Sequence, residues 1–192
     1  MTAVDERGLA KCFDNFEPPE GVKAELLRGV VVMMAGPDLV HNLIALHTQR
    51  QIPLERWYPI QTQDVSIAGE DSVPVPDLVV AAPDALPGSG RLLPSELITA
   101  VVEIVSKSSV LNDYLVKRSI YAAGKIPTYL IVDPIMAQCV LLTDPAGQGD
   151  DANYLSQHVT KFGDPVRLEA LGVELDTSEF GTLPEVRPHR YP

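Results

Sequence analysis

Residues 97–133 read LITAVVEIVSKSSVLNDYLVKRSIYAAGKIPTYLIVD, and the fold follows from how this stretch divides. The run 97–105 is dense in Val and Ile, the composition of a buried strand. Ser108 or Ser109 is placed to cap a helix reaching about Ala123, and Gly124 stands where such a helix stops. Residues 128–132 form a second apolar run, closed by Asp133-Pro134. Strand, helix, strand of this length predicts a right-handed crossover between parallel strands.

The neighbouring segments add to this unit. Residues 76–82 read as a short strand beside 97–105, antiparallel to it across a loop rich in Pro, Gly and Ser (83–96). Residues 138–142 pair with 128–132. Residues 23–34 read as a hairpin turning at Arg28-Gly29. Apolar residues at 39, 40, 43, 44 and 46 have helical spacing, and Pro53 bounds that helix. A strand is expected over 59–68, a late hairpin over 154–168 around Gly163-Asp164, and a short N-terminal helix within 1–20. The expected fold is α/β of the α+β type, a mixed central sheet flanked by helices. One domain is expected over 1–192, with 1–20 as an N-terminal extension and 177–192 as a tail.

Composition narrows the function classes. No apolar run reaches the ~18 residues of a membrane span. The first residues carry acids and no apolar stretch of a secretory signal, so a cytoplasmic location is expected. The two cysteines, Cys12 and Cys139, lack the number for a disulfide framework and the spacing for zinc. Glycine-rich phosphate loops and a G-x-S-x-G elbow are absent, which removes nucleotide-fold and serine-hydrolase readings. The net charge of −11 argues against strong sequence-independent binding of nucleic acid, although acids can gather around a cation.

Two apolar strands each carry one carboxylate, Asp77 in VPDLVV and Glu103 in AVVEIVS. Burying an unpaired carboxylate costs several kcal/mol, on the order given for isolated buried charges. A shared divalent cation is the simplest compensation, since Mg²⁺ takes one or two protein carboxylates and keeps water and phosphate for its other positions. The plainer alternative is a strand-end acid, solvated or paired with Lys or Arg. Glu25 is a third acid on an otherwise apolar strand, or an exposed residue of an edge hairpin. Asp113, Lys117 and Tyr121 recur every four residues and share one helical face. They form either an ordinary ion pair on a solvated face or a device aiming Lys117 at the acids. His41 reads first as a capping or surface residue.

These segments, in this order, resemble the Uma family of restriction endonucleases in the PD-(D/E)XK superfamily. The similarity lies in AELLRGVVVMMAGPDLVHN (24–42), VPVPDLVV (73–80), AVVEIVSKSSVLNDYLVKRSIYAAGKIPTYLIVDP (100–134) and FGDPVRLEALGVEL (162–175). The resemblance implies a Mg²⁺- or Mn²⁺-dependent endonuclease acting on DNA, and a homodimer that pairs two sites. It implies Asp77 and Glu103 as metal ligands, with the Ile104 carbonyl beside them, and Glu25 and Lys117 as further catalytic residues. The superfamily's usual lysine place is Val105 here, so Lys117 is the migrated lysine, with Lys107 second. The aromatic pair common in the last core strand is Thr128-Tyr129. The alternative is a catalytically silent binding or assembly protein that retains the fold, favoured by the charge and the displaced lysine. A small-molecule hydrolase using the same acids is a third reading.

Overall fold

In the computed structural model, Phe13, residues 16–184 and Val186 are described. The first elements in the continuous described stretch are the hairpin β1 (Val22–Leu27) and β2 (Val30–Ala35), followed by helix α1 (Leu39–Gln49). Strands β3 (Tyr58–Gln61), β4 (Asp64–Ser66), β5 (Leu78–Ala81), β6 (Leu92–Pro94) and β7 (Ala100–Ile104) come next. A π-helical turn (Asn112–Val116) runs directly into α2 (Lys117–Ala123). Strands β8 (Thr128–Asp133), β9 (Gln138–Ala146), β10 (Asn153–Lys161), β11 (Val166–Leu168) and β12 (Val173–Leu175) follow.

The central sheet is mixed and six-stranded, in the order β10-β9-β8-β7-β5-β3. β7 and β8 are parallel, as the crossover requires, and β5 lies antiparallel to β7. Strand alternation divides the core into two layers. Val79, Val101, Tyr129, Ile131 and Val140 face Ile120, Tyr121 and Ala122 of α2. Leu78, Val80, Val102, Leu130 and Val132 face Ile44 and Ala45 of α1, together with the β11–β12 hairpin. This α+β arrangement matches the expected class. Among the described residues no helix is long and apolar enough to cross a membrane.

Four local expectations change. The 59–68 strand breaks at Thr62, whose φ is +50°; β3 joins the main sheet while β4 pairs with β6. The 154–168 hairpin does not form. β10 pairs with β9 over nearly all its nine residues, which satisfies more backbone groups than three-residue β11 could. β11 instead pairs with β12, presenting Val166 and Leu168 to the core. Gly124 has φ −70°, so it is not the left-handed residue ending α2. Lys125, at φ +56°, takes that conformation. Nor is the helix regular, because the π turn is inserted before α2. The N-terminal helix expected within 1–20 falls largely outside the described residues, as does Cys12.

Candidate active site

β1 alternates, so Lys23, Glu25 and Leu27 share a face while Ala24 and Leu26 pack into a small separate cluster. The Glu25 side chain is completely buried. Its Oε1 accepts a 2.7 Å hydrogen bond from the Val75 amide, tying β1 to the segment leading into β5. Its Oε2 lies 3.0 Å from Lys117 Nζ.

Asp77 precedes β5 by one residue. The β5–β7 register pairs Leu78 with Val102, and its extension by one position sets Asp77 opposite Glu103. Opposed residues of an antiparallel pair project to the same side of a sheet. The Asp77 carboxylate accepts a 2.8 Å hydrogen bond from the Ile104 amide on Oδ2, which also lies 2.9 Å from His41 Nε2. Its Oδ1 accepts from Lys23 Nζ at 3.3 Å. Burial works against the Asp77 charge. Lys23, the His41 hydrogen bond and more distant Lys117 outweigh it and hold the carboxyl well below the usual range.

Glu103 projects from the middle of the sheet beneath the helix. Its Oε1 accepts hydrogen bonds from Lys117 Nζ at 2.9 Å and from the Tyr121 hydroxyl at 2.5 Å. Burial pushes its carboxyl far up, against the opposing pull of Lys117 and Lys23. Asp113 is also buried and also raised by burial, with Lys117 opposing. Its Oδ2 accepts from the Ser109 hydroxyl, and its Oδ1 lies 3.3 Å from Lys117 Nζ. Ser109 thus stands at the helix start but gives its hydroxyl to Asp113.

Lys117 is the centre of this arrangement. Its side chain is 1 % exposed, and its ammonium meets Glu25, Glu103 and Asp113 within 3.3 Å. Burial disfavours its charge, but Glu103, Glu25 and Asp113 overcome that and keep it protonated far above its ordinary range. Only the Glu103 contact is a well-aligned hydrogen bond; Glu25 Oε2 and Asp113 Oδ1 are held mainly as charges. The reading of Asp113 and Lys117 as an ordinary ion pair on a solvated face is therefore corrected, because the pair is internal. The helix buries this face against β1 and β7, and π-helical turns recur where a helix is adapted to a site.

Four carboxyl groups (Glu25, Asp77, Glu103, Asp113) are gathered around two ammoniums, Lys23 and Lys117. Asp77 and Glu103 both line a cavity of about 850 Å³, walled in part by Ser106, Ser108 and His41. Among the described residues no three His, Cys, Asp or Glu side chains are grouped as a ready-made metal cage. Hard oxygen donors from Asp77 and Glu103 on one cavity still suit Mg²⁺, which needs only one or two such ligands. The donor set therefore fits the ion.

All four sequence candidates, Glu25, Asp77, Glu103 and Lys117, meet in this region. Val105 is packed in the core, and Lys107 is exposed at the cavity rim. Sequence reasoning passed over Lys23 altogether and read His41 first as a cap. A signal for Lys23 existed: Lys23 and Glu25, two apart, put two charges on one face of an otherwise apolar strand. His41 had no comparable signal, since its contact with Asp77 spans 36 residues and depends on where α1 docks.

Comparison with known proteins agrees with the architecture. A crystal structure titled as "a putative nuclease belonging to DUF820 from Anabaena variabilis ATCC 29413" is similar to this chain, with a TM-score of 0.69 at 12% identity. The alignment covers 90% of this chain and 97% of that one, and at this identity it shows a shared fold. No curated protein matches. The Uma2 family model, described as "Putative restriction endonuclease", matches residues 11–178, and the chain belongs to that family.

Proposed function

We propose that this chain is a Mg²⁺-dependent endonuclease, a single nuclease domain hydrolysing phosphodiester bonds of DNA. The observation that carries the reading is the buried carboxylate cluster, with Asp77, Glu103 and Lys117 lining one cavity and the Lys117 ammonium held among the acids. In this reading Asp77 and Glu103 hold the ion, with the Ile104 carbonyl beside them. There the ion would lower the pKa of a water and polarise the scissile phosphate. Lys117 acts through the acids: its ammonium holds Glu103 by a hydrogen bond and Glu25 by close approach, fixing where both carboxyl groups lie. Tyr121 holds the same Glu103 oxygen as Lys117 does, on a residue that lines the cavity. Glu25 positions ion or water from β1. A homodimer pairing two such sites would cut both strands; light scattering that finds a monomer at every concentration would remove that part.

The test is cleavage of plasmid and single-stranded DNA with Mg²⁺, with Mn²⁺ and with EDTA, for wild type, Asp77→Asn and Glu103→Gln. Metal-dependent nicking that both variants lose is the expected result. Cleavage that survives EDTA or either variant would overturn the mechanism. A wild type that never cleaves would favour the silent binding protein, a reading supported by the net charge of −11 and by an ammonium on Lys117 that is fully occupied.

A further inference from the structure

A phosphodiester site gains from a cation that touches the non-bridging oxygens as charge builds there. Lys117 is ill suited to that contact, with its side chain 1 % exposed and its ammonium shared among three carboxylates. Lys107 is exposed at the rim, but no contact ties it to either Asp77 or Glu103. Lys23 differs from both. All three lysines line the cavity, but the Lys23 side chain is 20 % exposed against 1 % for Lys117, and its Nζ lies 3.3 Å from Asp77 Oδ1 and 3.8 Å from Glu25 Oε1. It stands on a paired strand rather than a loop, opposite Met34 of β2, so its backbone is fixed.

We infer that Lys23, presented from β1 beside Asp77, is the substrate-facing cation of this site and contacts a phosphate oxygen of the bound strand, while Lys117 is a positioning residue. This rests on the nuclease reading above. It accounts for the apolar Val105 without asking a sealed ammonium to move: the cation is supplied from the opposite side of Asp77, by the first strand. An ion held by Asp77 would weaken the hold of that carboxylate on Lys23, freeing the ammonium for the phosphate as substrate arrives.

The experiment compares wild type, Lys23→Gln, Lys23→Arg and a surface control, Lys161→Gln. Binding of a fluorescein-labelled 20-base-pair duplex is followed by anisotropy in Ca²⁺ over a salt series. Mn²⁺ affinity is measured by calorimetry without DNA, and single-turnover cleavage in Mg²⁺. Lys23→Gln should bind the duplex about tenfold more weakly, the loss expected for one charged hydrogen bond. Its slope of log affinity against log salt should be shallower by about 0.9, one phosphate contact fewer. Its Mn²⁺ affinity should hold or rise, because a competing positive charge has left Asp77. Lys23→Arg should recover most of the binding, and Lys161→Gln should match wild type. A residue serving only as counter-ion to Asp77 would give the Mn²⁺ gain with no loss of DNA binding and no change of slope, and that result overturns the inference. A wild type that binds no DNA overturns the nuclease reading and this inference together. A wild type that binds and cleaves, with Lys23→Gln doing both equally well, overturns this inference alone.

Discussion

Replacing Lys117 by Met isolates the ammonium, since Met keeps most of the aliphatic stem and its packing. The structure fixes what is lost. One buried cation disappears from between Glu25 at 3.0 Å, Glu103 at 2.9 Å and Asp113 at 3.3 Å. Each acid retains one other donor: the Val75 amide, the Tyr121 hydroxyl and the Ser109 hydroxyl respectively. None retains a countercharge of comparable proximity, because Lys23 Nζ is 3.8 Å from Glu25 and is already shared with Asp77. Breaking a buried ion pair from one side costs about 3–5 kcal/mol. With a urea slope of about 2 kcal/mol/M, the unfolding midpoint should fall by about 2 M.

The deficit should depend on pH. Loss of the ammonium raises the folded-state carboxyl values of Glu103 and Asp113 further, and burial has already raised both. Groups raised in the folded state bind more protons there than in the unfolded chain. Stability of the variant therefore increases as pH falls through the folded values, until the unfolded carboxyls also protonate. The gap to wild type should be widest near pH 8 and narrower near pH 5.5, where protons stand in for the missing charge. Adding Glu103→Gln to Lys117→Met should recover part of the loss at pH 8. A Lys117→Met protein within about 1 kcal/mol of wild type at pH 8 would behave like an exposed ion pair and refute the buried cluster.

Asp77→Asn should weaken Mn²⁺ binding by at least tenfold in calorimetry. It should also cost about 1–2 kcal/mol in urea melts, since Lys23 loses its nearest countercharge while the Ile104 amide keeps an oxygen acceptor. An unchanged Mn²⁺ affinity would remove Asp77 from the ligand set. Burial pushes the Cys139 thiol up to about 12, so in a Cys12→Ser background it should resist a disulfide reagent at pH 8 and react only as urea unfolds the chain. Rapid labelling of the native protein would contradict its burial. Gly124→Ala would set a Cβ 2.8 Å from Ile67 Cδ1 and 3.1 Å from Ser95 Cβ, costing about 1–3 kcal/mol by overpacking in thermal or urea melts. A neutral or stabilising outcome would show that Ile67 yields freely.

The sequence by itself determined the parts whose code is local. Val and Ile runs marked β5, β7 and β8, helical spacing marked α1, and Arg28-Gly29 marked the β1–β2 turn, where both residues take positive φ. The strand-helix-strand order then dictated parallel β7 and β8, and one acid on each apolar strand pointed to Asp77 and Glu103. Only the tertiary structure decided which side of each ambiguous residue faces inward. Lys117 has the same four-residue spacing from Asp113 whether that face meets water or the sheet; docking of the helix over Glu25 and Glu103 buries it. Lys23 and His41 join the site through contacts with Asp77 spanning 54 and 36 residues, distances no local pattern encodes. β10 and β11 likewise had compatible strand patterns, and the choice of partner fell to the longer ladder with β9. Hydrophobic periodicity specifies which residues leave water, but the pairing of buried charges depends on long-range approach, where a few favourable ångströms outweigh any sequence-local preference.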